Sequence, residues 1–256
     1  MTDDHPTVSK RPLRDFLARN PYPRPMTDGL FFRDKMRAIH RIAPERIGPR
    51  LLEIGGGQSG LSKMLYPEAH VTNADLDPAF AEAPCNKQPG VEFRAADATD
   101  LPFEDASFDA VTMFDLLEHV PDDDAVAREA LRVVRPGGVI LVTTPDADRW
   151  RYPYYGFLRS ICPPEEELFG LWGHVRRGYD QSRLDELFDG PAYRAGSFIN
   201  PLLAISHDVS FSRLGRRGRL ALHALAAPAS VAGWLSSGAP GRGTEIAAAW
   251  KREASA

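Results

Sequence analysis

The chain has 256 residues, 43% hydrophobic and 26% charged, which excludes wholesale disorder and allows one sizeable core or two small ones. Its 31 Lys and Arg stand against 35 Asp and Glu, a formal net charge of -4. Nothing global therefore advertises nucleic acid or a membrane, and such a contact must come from a local patch. Cys85 and Cys162 are too few for a disulfide framework and too isolated for a zinc site, and fit reduced thiols. The opening MTDDHPTVSKRP carries acids where a secretory signal carries basic residues and then an apolar run. The longest apolar stretch, Leu220 to Leu235, is broken by Pro228 and shorter than the roughly 20 residues that span a bilayer. A cytoplasmic protein without a transmembrane helix is expected, with no nucleic-acid partner.

Residues 1–46, rich in Pro, Arg and Asp, read as an N-terminal helical cap. Its helix is expected over Asp28 to Ile42, where Leu30, Phe31, Met36, Ile39 and Ile42 recur at near-helical spacing. From 47 to 256 the texture is short apolar runs separated by helical stretches, the alternation of a parallel sheet with crossover helices. The runs are Leu51 to Ile54, Val71 to Ala74, Val91 to Ala95, Phe108 to Phe114 and Val139 to Thr144. Before the last of these, Asp122 to Asp124 start a helix whose buried stripe is Val126, Ala130 and Val133, and Pro136-Gly137-Gly138 stops it. A helix near Ser182 to Phe188 and strands at Tyr193 to Ile199 and Glu245 to Trp250 complete the pattern. The fold class is α/β: a Rossmann-like doubly wound sheet, mostly parallel with an antiparallel last strand. Helical cap insertions fall at about 150–180 and 201–240.

The sharpest feature is the strand Leu51-Leu52-Glu53-Ile54 running into Gly55-Gly56-Gly57 and then a short helical segment. Glycine supplies the positive φ of a sharp strand-to-helix turn and lets a ligand lie against the main chain. Gly55, Gly57 and Gly60 also satisfy G-x-G-x-x-G, and Asp75 stands 20 residues after Gly55, where an acid gripping a ribose is expected. The loop alone leaves a nicotinamide dinucleotide and another adenosine cofactor open, the first giving an NAD-dependent oxidoreductase. Glu53 favours the second, because a carboxylate at the turn repels a pyrophosphate and attracts a cationic amino-acid moiety. Asp97 ends a strand where it can accept from an adenine amino group.

With these motifs, Leu116-Leu117-Glu118-His119-Val120 and Leu131-Arg132-Val133-Val134-Arg135-Pro136-Gly137-Gly138 in order, the sequence over about residues 48–146 resembles the class I S-adenosylmethionine-dependent methyltransferases. The resemblance is closest to the small-molecule branch that includes ubiquinone-type O-methyltransferases. It implies that Glu53, Gly55, Gly56 and Gly57 hold the methionine end of S-adenosylmethionine. Asp75, with Leu76 beside it, would bind the ribose hydroxyls, Asp97 and Ala98 the adenine, and Phe114 and Asp115 the sulfonium side. Ser59 departs from the family's frequent third glycine. A methyltransferase-like subunit without catalysis is a third reading, opposed by the complete set of ligand groups.

Transfer from a sulfonium needs an oriented acceptor and, for a hydroxyl, a base. His119 and His174 are the candidate bases, since histidine titrates near neutral pH. The aromatic and Arg-rich segment from Trp150 to Tyr179 is suited to a small-molecule or glycosyl acceptor. Asp115, Glu118 and His119, spaced i, i+3 and i+4, share one face if the segment is helical. With His174 they would hold a divalent metal ion, as in the E-x-x-E-H motif of metal-dependent relatives. Residues 211–237, where Arg213, Arg216, Arg217 and Arg219 precede an apolar run, fit either a lid or a weak membrane-surface contact.

Overall fold

A computed structural model describes residues 6–21, 29–237 and 243–253. The N-terminal part contains β1 (Val8–Ser9), α1 (Leu13–Leu17), α2 (Leu30–Ile42) and β2 (Arg46–Ile47), with β1 and β2 paired as a small antiparallel sheet. Asp28, the expected start of this helix, lies outside the described residues. The main sheet comprises β3 (Arg50–Ile54), β4 (His70–Asp75), β5 (Val91–Ala95), β6 (Phe108–Phe114), β7 (Val134–Pro145), β8 (Arg194–Phe198) and β9 (Glu245–Lys251). Its order is β5-β4-β3-β6-β7-β9-β8, and β9 runs antiparallel to both neighbours while the others are parallel. This is the expected doubly wound sheet with an antiparallel last strand.

Every residue of β6 is buried, the pattern of a central strand covered on both faces. Successive side chains alternate between two cores. Leu52, Val111, Met113, Ile140 and Val142 face α4 (Asp123–Val133), while Leu51, Ala110 and Leu141 face α2 and α3 (Leu61–Leu65). Met36, Ile39 and Ile42 of α2 belong to that second core, so the N-terminal helix is built into the main domain. Asp122 caps α4 by accepting from the Ala125 amide at 2.9 Å, with Asp123 and Asp124 in the first turn. The chain then passes straight from Val133 into β7, so Pro136-Gly137-Gly138 forms the start of that strand rather than a loop before it.

After β7 come α5 (Glu165–Trp172) and α6 (Gln181–Leu187), and between β8 and β9 a hairpin of α7 (Pro201–Ser210) and α8 (Arg216–Ser236). The two hairpin helices meet at Gly233, where a Cβ would stand 2.8 Å from the Leu203 amide nitrogen. Only glycine allows that approach. Among the described residues no helix is long and apolar enough to cross a membrane. Because β9 is antiparallel, its first residue, Glu245, pairs with Pro145 and Phe198 at the carboxyl edge of the parallel strands. That edge is where open α/β sheets bind ligands.

Candidate active site

The glycine turn after β3 is fixed from below. Gly55 and Gly57 have φ of 69° and 49°. The Gly57 carbonyl accepts from the buried side-chain amides of Asn73 at 3.0 Å and Asn86 at 2.8 Å, and its N–H donates to Asp75 Oδ2 at 2.9 Å. The turn so fixed borders a cavity of about 770 Å³. Its walls include Gly55, Gly57, Asp75, Leu76, Asp97 and Ala98, together with Asp115, His119 and Trp172. Leu76 is 74% exposed, an apolar platform at the mouth. Asp97 Oδ1 accepts from the Thr99 amide and hydroxyl, which holds its carboxyl below the usual range and keeps it charged.

Three of the expected cofactor residues stand elsewhere. Glu53 is buried beneath the turn, where Ser59 Oγ donates to its Oε1 at 3.2 Å, and it does not line the cavity. Burial raises its carboxyl to about 7 against the hydrogen bonds from Ser59 and Ser62. It braces the loop, and Ser59 serves as its donor. Gly56 also points inward: a Cβ there would meet Asn73 Oδ1 at 2.5 Å and Glu53 Cγ at 2.6 Å. Phe114 is buried in the core shared with α2, because the last side chain of β6 turns to that face.

A second cavity, about 400 Å³, adjoins the first, and Asp115, His119 and Trp172 line both. Phe31, Phe32, Trp150, Phe198 and Phe211 give it an aromatic wall, while Lys35, Glu118, His174, His207 and Glu245 give it a floor of ionisable groups. Lys35, from α2, reaches Asp115 Oδ2, and Thr143 Oγ1 donates to Asp115 Oδ1 at 2.7 Å. Burial lowers the Lys35 ammonium from its ordinary value, opposed by Glu245 and Glu118. Burial pushes Glu118 up to about 7 and Glu245 up to about 8. It lowers His119, and it lowers His174 and His207 to about 4, so these imidazoles are neutral at neutral pH.

Asp115 does not share a helical face with Glu118 and His119. It sits at φ 52° and is followed by a 3-10 turn, Leu117–His119, so its carboxylate turns to Lys35 and Thr143. The other three expected metal ligands do converge, Glu118, His119 and His174 each offering a ligand atom within 4.8 Å of the others. The His119 and His174 rings meet edge to face at 4.6 Å, and His174 Nδ1 is buried with no hydrogen-bond partner. Two imidazoles and one carboxylate suit zinc, manganese or iron better than magnesium, which prefers oxygen. The residues thus fit a transition ion with three protein ligands, against the opposing charge of Lys35.

The sheet order, the glycine turn with its acidic partner on β4, and the joined cavities at the carboxyl edge define a class I methyltransferase domain. Residues 52–142 match the family model described as methyltransferase domain. The chain is 37% identical over 134 residues to a demethylmenaquinone methyltransferase of Clavibacter sepedonicus, covering 50% of this chain and 53% of that one. It is 31% identical over 160 residues to a ubiquinone/menaquinone biosynthesis C-methyltransferase of Desulfotalea psychrophila, covering 56% of this chain and 65% of that one. It thus spans only about half to two thirds of the length of these relatives. A crystal structure of an S-adenosylmethionine-dependent methyltransferase from Mesorhizobium loti shares the fold at a TM-score of 0.57 and 15% identity, over 87% of this chain and 100% of that one. Residues 52–142 thus form a methyltransferase domain similar to that of these S-adenosylmethionine-dependent relatives.

Proposed function

We propose that the protein transfers the methyl group of S-adenosylmethionine to a hydroxyl oxygen of a small cyclic acceptor. The observation that carries this reading is the shared wall of Asp115, His119 and Trp172 between the two cavities. A cofactor seated against the glycine turn, with its ribose on Asp75, has its sulfonium end near that wall. The aromatic cavity beyond it accepts a ring by stacking. The acceptor oxygen attacks the methyl carbon as the carbon–sulfur bond breaks, and the sulfur keeps the electron pair as the neutral thioether. His119 takes the hydroxyl proton, since desolvation holds it neutral and the backbone of Trp172 and Gly173 favours its protonated form. Orientation within the cavity carries much of the acceleration, and a placed base adds about 10² to 10⁴ in rate.

The unpartnered His174 Nδ1 favours a second form of the same reading. A divalent ion held by Glu118, His119 and His174 would supply Lewis-acid polarisation of the acceptor oxygen and lower its pKa. Calorimetry tests the cofactor: S-adenosylhomocysteine is expected to bind and NAD not to, and the reverse would return the oxidoreductase reading. Turnover of phenolic and glycosyl acceptors, with an isotope-labelled methyl group located by NMR, distinguishes oxygen from carbon as the target. Full activity after EDTA leaves His119 as the base; loss restored by zinc or manganese assigns the ion.

A further inference from the structure

The helix α8 is built inside out. Its inner face, against α7, carries small or polar residues, among them the buried His223, Ala226, Ser230 and Gly233. Four of its five large aliphatic residues point away from the protein: Leu220 is 44% exposed, Leu225 77%, Val231 45% and Leu235 69%, while Leu222 is half-buried. At 100° per residue these four, with the exposed alanines and Pro228 between them, fall within one arc of roughly 140°. No charged residue interrupts that arc from 220 to 235. A core-packing helix has the opposite polarity, so packing on α7 does not account for the sequence of α8.

The charge is gathered at one end. Arg216 and Arg217 occupy the first turn of α8, which contains no acid, where the helix macrodipole disfavours cations. Both are exposed and make no ion pair among the described residues, and Arg213, just before them, is exposed and meets Glu167 at 2.6 Å. The chain as a whole carries -4, so this positive end is a local feature set against the global charge.

We propose that the outer face of α8 seats the protein on an anionic lipid surface. The aliphatic arc enters the boundary between headgroups and acyl chains, and Arg213, Arg216 and Arg217 contact lipid phosphates. The lid and the membrane contact are then divided between the two helices of the hairpin: α7 turns His207 toward the acceptor cavity and α8 faces the lipid. Phe211, which lines that cavity and is 38% exposed, lies two residues before Arg213. Docking therefore brings one edge of the cavity to the bilayer surface, where an acceptor dissolved in lipid can enter.

Sedimentation of the full chain with vesicles tests this. Pelleting is expected with vesicles rich in phosphatidylglycerol, not with pure phosphatidylcholine, and is expected to weaken in high salt. L225E/L235E should abolish it. R216E/R217E should lower partitioning at least about 25-fold, since each basic residue near such a surface is worth about five-fold. Neither pair lines either of the two cavities described above, so thermal midpoint and S-adenosylhomocysteine affinity should match the parent protein in both variants, and that match separates failure here from failure of the methyl-transfer reading. Absence of pelleting on anionic vesicles overturns the proposal, as does undiminished pelleting by a folded L225E/L235E. A concentration-dependent dimer without lipid, dissolved by L225E/L235E and accompanied by no vesicle binding, also overturns it and gives the face to a second copy of the chain.

Discussion

Asp75 connects the turn to the first cavity. Its Oδ2 accepts from Gly57 and its Oδ1 from the Asp77 amide at 3.1 Å, and each oxygen keeps a lone pair for a ribose hydroxyl at the cavity wall. Charge-assisted hydrogen bonds contribute about 1.5 to 3 kcal/mol each. Asp75→Ala is therefore expected to weaken S-adenosylhomocysteine binding by about two orders of magnitude or more, read by calorimetry. A lower melting temperature at normal affinity would show that the carboxylate only fastens Gly57. The position of Asp75 on the wall of the first cavity was legible because it stands 20 residues after Gly55, at the end of the next strand. Lys35, His207 and Glu245 were not. Each comes from an element with no motif, and each becomes a site residue only when α2, α7 and β9 converge on one edge. For Glu245 a signal existed: an antiparallel strand starts where its parallel neighbours end, so an acid at its first position lands at the carboxyl edge.

The elements beneath the site were largely written in their own residues. Short apolar runs located β3, β4, β6 and β7 because buried parallel strands tolerate little else. The 3-10 turn at Leu117–His119 was not legible, since Asp115 at φ 52° depends on a lysine 80 positions away. The hairpin of α7 and α8 depends on Asn200. Its Oδ1 accepts from the Leu203 amide at 3.2 Å as the cap of α7, and its Nδ2 donates to the Gly233 carbonyl at 2.7 Å. Asn200→Ala removes the cap and the tie to α8 together. A cap is worth about 1 kcal/mol and a second hydrogen bond about as much, so a loss of about 2 kcal/mol in a urea titration is expected. S-adenosylhomocysteine affinity should be unchanged, because the hairpin stands on the acceptor side. A loss confined to cofactor binding would contradict that placement.

Across the whole molecule, burial of ionisable groups at one sheet edge sets a pH dependence of stability. Burial lifts Glu53 from 4.5 to about 7 and Glu245 from 4.5 to about 8, so the folded chain keeps protons that the unfolded chain has released. Stability then falls as pH rises from about 4.5 toward those values, by about 1.4 kcal/mol per pH unit for each acid while it stays protonated. His207 acts in the opposite sense. Burial lowers it from 6.5 to about 4, so the unfolded chain binds the extra proton and stability rises over that interval. The two trends oppose each other below 6.5. Above it the imidazole is neutral in both states, and the raised acids set the slope toward pH 8. Urea unfolding is therefore expected to show a protein less stable at pH 8 than at pH 6.5. Glu53→Gln, which keeps an oxygen for Ser59 but cannot ionise, should flatten that slope. An equal slope in the variant would mean that Glu53 is charged beneath the glycine turn throughout the interval.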